Sequence, residues 1–257
     1  MSQTGHEPMR HHDDPEWAAY PRRYAAGEWR GPIFRDMVLA DVHRLAAERP
    51  ESLSILDIGC GNGFDGELEL QQAVARAAGP YIGIEPDPDI ALSDVFTTVH
   101  RCFFEDAPLD PASIDIAFAV MVLEHIREPQ RFWDKLYEVL RPGGVFWGFT
   151  VDARHWFVPA SWLAGRLHLT DRYLDLLSGG TLDGRYENYE VFYRMNTPAT
   201  IEGGTRAFTS KTFVNFRRVG QMDPYIPRGF RWLGRGFDRV ARGMGWPGAI
   251  TAVRLVK

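Results

Sequence analysis

One short run constrains the fold of this chain more than any other feature: Ile55-Leu56-Asp57-Ile58-Gly59-Cys60-Gly61-Asn62-Gly63. An apolar segment ends in an acid, and three glycines follow at alternate positions. A short apolar run of this kind predicts a buried strand. The glycines permit the positive φ angles and the close ligand approach that a sharp turn from a strand into a helix requires. We therefore predict a strand, a ligand-binding turn and a helix in direct succession.

The same alternation of strand and helix continues from residue 53 to residue 151. The expected strands are Leu53–Ile58, Tyr81–Glu85, Thr97–Arg101, Ile114–Val120 and Val145–Val151, and the expected helices are Ile33–Glu48, Asp65–Ala78, Pro88–Asp94 and Pro129–Leu140, the last ended by Arg141-Pro142-Gly143-Gly144. Nearly continuous apolar strands that alternate with helices predict a parallel sheet covered on both faces. Beyond residue 200, we expect a helix at Pro198–Ala207, strands at Thr212–Val219 and Ala249–Val256, and a helix at Arg228–Met244 between them.

Composition excludes several classes of protein. The 257 residues are 45% hydrophobic with a net charge of −5, which is typical of a globular protein and gives no overall basic surface for nucleic acid. Residues 1–150 carry a net charge of −12 and residues 151–257 a net charge of +7. Two cysteines are too few for a disulfide framework. Because the first thirty residues are polar and interrupted by prolines, no signal peptide is expected, and we predict a cytoplasmic protein.

The glycine run permits a second interpretation. Gly61-x-Gly63-x-x-Gly66 matches the phosphate-binding turn of dinucleotide-dependent oxidoreductases. However, the run begins earlier, at Gly59, and the acids Asp65, Glu67 and Glu69 crowd the start of the helix where a pyrophosphate would bind. Negative charge at that point favours a ligand without phosphate. An NAD(P)-dependent oxidoreductase remains an alternative.

Further acids follow the later strands. Glu85 ends the second strand, where a carboxylate can accept hydrogen bonds from both ribose hydroxyls. After the third strand, Glu105 or Asp106 can accept a hydrogen bond from an adenine amino group. The fourth strand is followed by Met121-Val122-Leu123-Glu124-His125-Ile126. Since the carboxyl ends of parallel strands meet at one sheet edge, these residues are expected to form one cleft.

In order and spacing, these segments resemble the class I S-adenosylmethionine-dependent methyltransferase family, and within it the actinobacterial sugar and natural-product O-methyltransferases. The resemblance covers about residues 33–151. It implies a Rossmann-like α/β fold: a seven-stranded, mostly parallel sheet with helices on both faces, a terminal antiparallel strand pair, and a helical lid inserted after the fifth strand. The implied division is an arm (1–32), a cofactor-binding core (33–151), a lid that binds the acceptor (152–200) and a terminal part that completes the sheet (201–257).

The resemblance also implies roles for individual residues. Gly59, Gly61 and Gly63 would line the methionine part of S-adenosylmethionine, with Asp57 near its ammonium group. Glu85, followed by Pro86, would hold the ribose. Glu105 or Asp106 would meet the adenine, with Met121 on its other side. A bound divalent metal is conceivable but is not indicated, so none is assigned.

A hydroxyl acceptor must lose a proton as it is methylated, and His125 is the best-placed base. Glu124 lies beside it, and the aromatic, polar stretch after residue 151 offers His155, Trp156 and Tyr193 for acceptor binding. Aromatic faces with nearby polar groups suit a sugar, an oligosaccharide or another polyhydroxylated small molecule. Transfer to nitrogen, a nucleic-acid or protein acceptor, and a non-catalytic S-adenosylmethionine-binding module remain alternatives.

The Arg-rich segment Arg228–Arg242 carries a stripe of Phe230, Leu233, Phe237 and Val240. We expect this stripe to pack on the sheet and the arginines to face solvent. No nucleic-acid or membrane partner is therefore predicted, and the oligomeric state is left open.

Overall fold

The fold is described from a computed structural model. It describes residues 10–11, 16–49, 51–61, 63–159, 189–223 and 226–257. The predicted lid lies largely outside these residues.

A single sheet organises the described chain. Its strands are β1 (Arg10–His11), β2 (Ile55–Ile58), β3 (Tyr81–Ile84), β4 (Thr98–His100), β5 (Ile114–Val120), β6 (Leu140–Val151), β7 (Ser210–Phe216) and β8 (Ile250–Val256). They lie in the order β1-β7-β8-β6-β5-β2-β3-β4. Only β8 is antiparallel to its neighbours, β6 and β7. Apart from the two-residue β1, this is the predicted seven-stranded, mostly parallel sheet with a terminal antiparallel pair, and the Rossmann-like prediction is confirmed.

Six α-helices accompany the strands in the described part of the chain: α1 (Ala19–Ala25), α2 (Arg30–Glu48), α3 (Leu68–Ala77), α4 (Pro129–Val139), α5 (Pro198–Gly204) and α6 (Arg231–Gly243). Helix α4 shows how the sequence sets a boundary. Pro129 stands in its first turn, where the missing N–H costs nothing. Phe132, Leu136 and Val139 then bury one face of the helix. Among the described residues, no helix combines the length and apolar character needed to cross a bilayer.

Alternate strand residues supply two separate cores. Phe118 and Trp147 pack with α2 and α3 on one face of the sheet. Ala117 and Phe146 pack with α4 and α5 on the other. This explains why the strand sequences are apolar at nearly every position, as expected for a parallel sheet covered on both faces.

Two local predictions are wrong. Residues Pro88–Asp94 form turns and irregular chain rather than a helix, because side chains take up their backbone groups: the Asp89 N–H donates to Asp87 Oδ1, and the Asp87 and Ile90 carbonyls accept from Arg101. Strand β6 begins at Leu140, not Val145, so the expected turn Arg141-Pro142-Gly143-Gly144 lies inside the strand. Its pairing register with β5 shifts there, because Leu140 pairs with Ile114 while Val145 pairs with Ile116. The turn residues are therefore accommodated as a bulge.

The expected packing of α6 is also wrong. Its buried residues are Gly234, Asp238 and Ala241. Phe230, Leu233, Phe237 and Val240 are instead 58%, 41%, 58% and 58% exposed. The small residues let the helix backbone approach the protein closely, and the apolar stripe therefore lies on an exposed flank.

The segment before α2 is part of the folded core. Trp17 is 4% exposed and packs edge-on against Trp147, with ring centroids 4.9 Å apart. The Arg254 guanidinium lies 5.8 Å above the Trp17 ring. Tyr24 in α1 makes a similar edge contact with Phe216, at 5.7 Å. Residues 16–25 thus cover the end of the sheet formed by β6–β8.

This packing predicts that Trp17→Ala lowers the free energy of unfolding by about 3–5 kcal/mol, since it removes a buried aromatic ring and leaves a cavity. Urea unfolding followed by circular dichroism measures the change. Trp232→Ala is the matched control because Trp232 is 67% exposed. Equal effects of the two substitutions would contradict the assignment of Trp17 to the core.

Candidate active site

The predicted site residues meet at one edge of the sheet. Strands β5, β2 and β3 are adjacent and parallel, so their carboxyl ends point the same way. The glycine turn follows β2, Glu85 follows β3, and Met121 begins the segment after β5. Such an edge, where parallel strands end and loops diverge, is where α/β sheets bind ligands.

The turn after β2 has a shape that only glycine fits. Gly59 has φ +72°, and a Cβ there would collide with the Val122 side chain. Gly63 has φ +102°, and a Cβ there would come within 2.9 Å of the backbone of Glu67 and Leu68. The turn is therefore fixed by close backbone packing and presents main chain, rather than side chains, toward the cleft.

Glu85 joins the two neighbouring turns. The Gly61 N–H donates to Glu85 Oε2 at 3.0 Å, and the Asp87 N–H donates to Oε1 at 3.0 Å. The residue is 6% exposed. Each carboxylate oxygen retains a further lone pair, so the group can hold its own turn and still accept hydrogen bonds from a ligand. Pro86, next in sequence, is exposed.

Asp57 lies beneath the glycine turn. Its Oδ2 accepts hydrogen bonds from the Tyr81 hydroxyl at 2.7 Å and from Gln71 Nε2 at 3.1 Å. Gln71 also donates to the Cys60 carbonyl at 2.9 Å. Burial raises the pKa of Asp57 to about 7, although both hydrogen bonds act in the opposite direction. Asp57 thus links β2, β3 and α3 under the turn.

Arg30 holds the far end of the turn. Its guanidinium donates to both carboxylate oxygens of Asp65, with contacts of 2.8–3.1 Å. Asp65 has φ +52°, an uncommon angle for a non-glycine residue. Arg30, the first residue of α2, therefore pairs with Asp65, which lies three residues before α3.

The two acids after β4 differ in their surroundings. Asp106 is exposed and pairs with Arg131 at 2.8 Å. Glu105 is half-buried, and burial raises the pKa of its carboxyl. Asp106 is therefore paired with an arginine of α4. Within the described residues, Glu105 forms no ion pair of this kind.

Past β5, the chain takes a strained turn. Met121 has φ +56°, and its N–H donates to the Phe149 carbonyl at 2.8 Å. Glu124 is buried, and Thr150 Oγ1 donates to its Oε2 at 2.8 Å. Asn196 donates in turn to Thr150. Burial raises the pKa of Glu124. Strained backbone beside a buried acid is characteristic of functional sites.

His125 is held as one tautomer. Its Nδ1 lies 3.0 Å from the Glu190 carbonyl oxygen. Because a carbonyl only accepts hydrogen bonds, Nδ1 carries the proton, and Nε2 of the neutral ring is free of one. The ring also makes an edge contact with Tyr189 at 5.9 Å.

Tyr189 connects both sides of the cleft. Its hydroxyl donates to Asp87 Oδ2 at 2.7 Å, and this hydrogen bond lowers the pKa of Asp87. The Phe192 and Tyr193 N–H groups donate to the Glu124 carbonyl at 2.8 and 3.3 Å. Burial raises the pKa of Tyr193, and the nearby Glu124 adds to the effect. The segment 189–193 therefore links the ends of β3 and β5.

His155 and Trp156 lie against α6 and its preceding loop. The His155 Nε2 accepts a hydrogen bond from the Gln221 amide nitrogen at 2.9 Å, because an amide nitrogen only donates. Trp156 Nε1 donates to Asp238 at 3.0 Å. Burial lowers the pKa of His155 to about 4. Both side chains are thus already hydrogen-bonded within the protein.

Residues 10–11, 16–49, 51–61, 63–159, 189–223 and 226–257 include no cluster of three or more histidine, cysteine or acidic side chains arranged to bind a metal ion.

The family of the chain follows from comparison with known proteins. The family model described as "Methyltransferase domain" matches residues 22–190. The chain belongs to this methyltransferase family. The oxidoreductase alternative drawn from Gly61-x-Gly63-x-x-Gly66 is therefore wrong.

Relatives of the methyltransferase occur in mycobacteria. It is 34% identical over 101 residues to an uncharacterised methyltransferase of Mycobacteroides abscessus, covering 36% of this chain and 37% of that one. It is 30% identical over 110 residues to a Mycolicibacterium smegmatis protein named "Probable S-adenosylmethionine-dependent methyltransferase", covering 41% and 40%. The chain thus spans about two fifths of the length of these relatives.

Solved structures share the fold. A SAM-dependent methyltransferase from Thermotoga maritima aligns with a TM-score of 0.50 at 17% identity, covering 94% of this chain and 99% of its own. One from Archaeoglobus fulgidus gives 0.51 at 12% identity, covering 95% and 100%. The whole sheet, including its terminal strand pair, is therefore the methyltransferase architecture.

The residues present fit S-adenosylmethionine. The glycine turn packs too closely for any Cβ at Gly59 or Gly63, Glu85 retains acceptor capacity, and the buried acids around the cleft suit a cationic ligand. Sequence reasoning missed Tyr81, Gln71 and Thr150, which hold the acids in place. Their partners are distant in sequence, and no local pattern marks them.

The environment of Asp57 predicts a pH effect on stability. Burial in the folded protein raises the pKa of this carboxyl from its ordinary value of 3.8 to about 7. Between these values the folded state binds more protons than the unfolded state, so the free energy of unfolding falls as pH rises. The Asp57→Asn protein lacks this titrating carboxyl. Between about pH 4.5 and about pH 7.5, its free energy of unfolding should therefore fall by about 2–4 kcal/mol less than that of the parent protein.

Urea titrations of both proteins at the two pH values measure this difference. Asp110→Asn, at an exposed loop position, is the control and should follow the parent protein. If Asp57→Asn shows the same pH slope as the parent, burial does not raise the pKa of Asp57.

Proposed function

We propose that this methyltransferase transfers the methyl group of S-adenosylmethionine to a hydroxyl oxygen of a small polyhydroxylated acceptor, such as a carbohydrate. The tautomer of His125 carries this proposal. Its Nδ1–H is used by the Glu190 carbonyl, and its Nε2 is available to accept a proton. A base beside the cofactor turn serves an acceptor that loses a proton on methylation.

In this proposal, Gly59, Gly61 and Gly63 contact the methionine part of the cofactor, and Asp57 contributes negative potential beneath its ammonium group. Glu85, with Pro86 beside it, binds the ribose hydroxyls. The free carboxylate of the half-buried Glu105 favours it over Asp106 for the adenine, and Met121 packs on the other side of that ring.

Bound S-adenosylmethionine would supply a methyl group already activated by a positively charged sulfur. The protein's residues then orient the acceptor and exclude water. We propose that His125 Nε2 accepts the proton of the acceptor hydroxyl. Its imidazole is kept in orientation by the Glu190 carbonyl and the Tyr189 ring.

We further propose that Glu124 and Tyr193 bind acceptor hydroxyls. Glu124 is held by Thr150, and Thr150 by Asn196, so the acid is fixed in orientation while its second carboxylate oxygen remains for a ligand. His155 and Trp156 are proposed to hold the chain that leaves β6 against α6 and its preceding loop, through Gln221 and Asp238, and so to shape the acceptor side of the cleft.

The role of Glu85 predicts that Glu85→Gln weakens binding of S-adenosylhomocysteine at least about tenfold, because an amide accepts fewer hydrogen bonds and carries no charge. Isothermal titration calorimetry measures the affinity. Asp89→Asn is the matched control, since it removes a carboxylate from the same loop at an exposed position. Unchanged affinity in Glu85→Gln would remove Glu85 from the binding site.

The role of His125 predicts that His125→Ala lowers turnover about 10²-fold while cofactor affinity stays within about twofold. Turnover is measured by mass spectrometry of pooled sugars, polyols and amines incubated with S-adenosylmethionine. His43→Ala, at an exposed position, is the control and should retain full turnover. Full activity in His125→Ala, or methylation of amines alone, would contradict O-methyl transfer through His125.

A further inference from the structure

The outer surface of α6 and its flanks is densely apolar. Seven large hydrophobic side chains in this short segment are 41–67% exposed: Phe230, Trp232, Leu233, Phe237, Val240, Met244 and Trp246. The described residues expose thirteen such side chains in all, so residues 230–246 carry more than half of them. Contiguous exposed apolar surface on a folded protein marks an interaction site.

The exposed hydrophobic residues lie together on one side of the helix. At about 100° per residue, the side chains from Trp232 round to Phe237 occupy an arc of about 140° that contains no charged residue. Such an arc is as wide as the stripe with which a surface helix usually packs on a core. Here Gly234, Asp238 and Ala241 form the buried face instead. The arc from Trp232 to Phe237, which we call the apolar arc, is therefore left for a partner.

The apolar arc faces open space in the described part of the chain. A Cβ added at Gly236 or Gly243, which both lie within it, would meet no atom within 4 Å. Trp156 stacks on Phe237 with ring centroids 5.6 Å apart, yet Phe237 remains 58% exposed. The arc is the outer side of a helix and not a groove. A broad surface therefore fits it better than a peptide, since peptides bind in grooves or along sheet edges.

The charge of the segment is almost entirely positive. Residues 228–246 contain the arginines Arg228, Arg231, Arg235, Arg239 and Arg242. Their single acid, Asp238, is buried and accepts hydrogen bonds from the Gly220 N–H and from Trp156. Of the neighbouring acids, Asp223 pairs with Arg235 at 2.6 Å. The surface around the apolar arc therefore attracts a negatively charged partner.

We propose that α6 lies on an anionic lipid surface, with the apolar arc inserted at the boundary between headgroups and acyl chains. Tryptophan and phenylalanine on one face and arginines on another are the pattern of a helix that lies in the membrane plane without crossing it. Arg239 borders the arc beside Trp232, where its long side chain can follow the apolar surface while its guanidinium reaches the lipid phosphates. The packing expected to exclude a membrane partner is absent, because the stripe is exposed.

A second copy of this chain is a poorer partner for the same face. A two-fold interface places a segment against itself. It would therefore bring the five arginines of residues 228–246 in one copy against those of the other, and like charges across an interface are unfavourable. An anionic membrane buries the same apolar side chains while it compensates the arginines.

Vesicle sedimentation of the full chain, without S-adenosylmethionine, tests the proposal. Vesicles of phosphatidylglycerol and phosphatidylcholine should bind the protein at least about tenfold more tightly than phosphatidylcholine alone. Trp232→Ser/Val240→Ser, at two exposed positions of the arc, should weaken binding to the anionic vesicles at least about tenfold. Phe103→Ser/Val99→Ser is the matched control, since these residues are 65% and 36% exposed outside the segment; it should change binding by no more than about twofold.

The charge contribution is measured in the same way. Arg239→Gln should weaken binding to anionic vesicles about fivefold, whereas Arg22→Gln, at an exposed position of α1, should change it by no more than about twofold. Brominated phosphatidylcholine in the anionic vesicles gives a second readout, because it quenches tryptophan emission only at close range. Quenching should be lower in Trp232→Phe, which keeps an apolar ring and should still bind.

Three results would overturn the proposal. The first is no binding of the parent chain to anionic vesicles. The second is equal binding by Trp232→Ser/Val240→Ser, which would reduce the interaction to adsorption by charge. The third is a dimer, detected by light scattering, that dissociates in Trp232→Ser/Val240→Ser, which would assign the face to a second copy. Affinity for S-adenosylhomocysteine should be the same in all these variants, so lipid binding stands or falls independently of the proposed methyl transfer.

Discussion

The hydrogen bond from the Gly61 N–H to Glu85 is the contact on which the cofactor edge depends. It joins the turn after β2 to the turn after β3, and it does so with the acid that is also proposed to bind ribose. The turn can approach Glu85 only because Gly59 and Gly63 adopt positive φ angles that other residues rarely reach. Asp57 supports the same turn from below through Tyr81 and Gln71. The backbone that is proposed to bind the cofactor is thereby fixed in place.

Much of the sheet could be predicted because its determinants are local. Five short runs that alternate with helices predict the parallel strands, and the glycine turn predicts the edge at which they bind a ligand. The elements that differ depend on longer-range context. The segment 140–144 would be a turn in isolation, but Leu140 pairs with Ile114 of β5, and Gly143 and Gly144 exchange backbone hydrogen bonds with Lys257 just after β8. The register of that pairing cannot be read from the segment itself.

Helix α6 illustrates a different limit of sequence analysis. Its periodicity correctly predicts a helix, yet the apolar stripe does not identify the buried face. Gly234, Asp238 and Ala241 are buried because Asp238 finds donors in Gly220 and Trp156. A buried acid with two donors fixes the rotation of the helix, and that rotation leaves the apolar stripe exposed. Hydrophobic patterning alone assigns the opposite rotation, since it gives no weight to a polar group that is satisfied on burial.

A short segment, 189–193, contacts both sides of the cofactor edge. Toward β5, its Phe192 and Tyr193 N–H groups donate to the Glu124 carbonyl, and its Glu190 carbonyl accepts from His125 Nδ1. Toward β3, the Tyr189 hydroxyl donates to Asp87. The residues that follow Glu190 are thus tied by their backbone to the end of β5, from which His125 itself projects. Because both partners of the Nδ1 hydrogen bond are held by the same strand end, the orientation of the proposed base is set by β5.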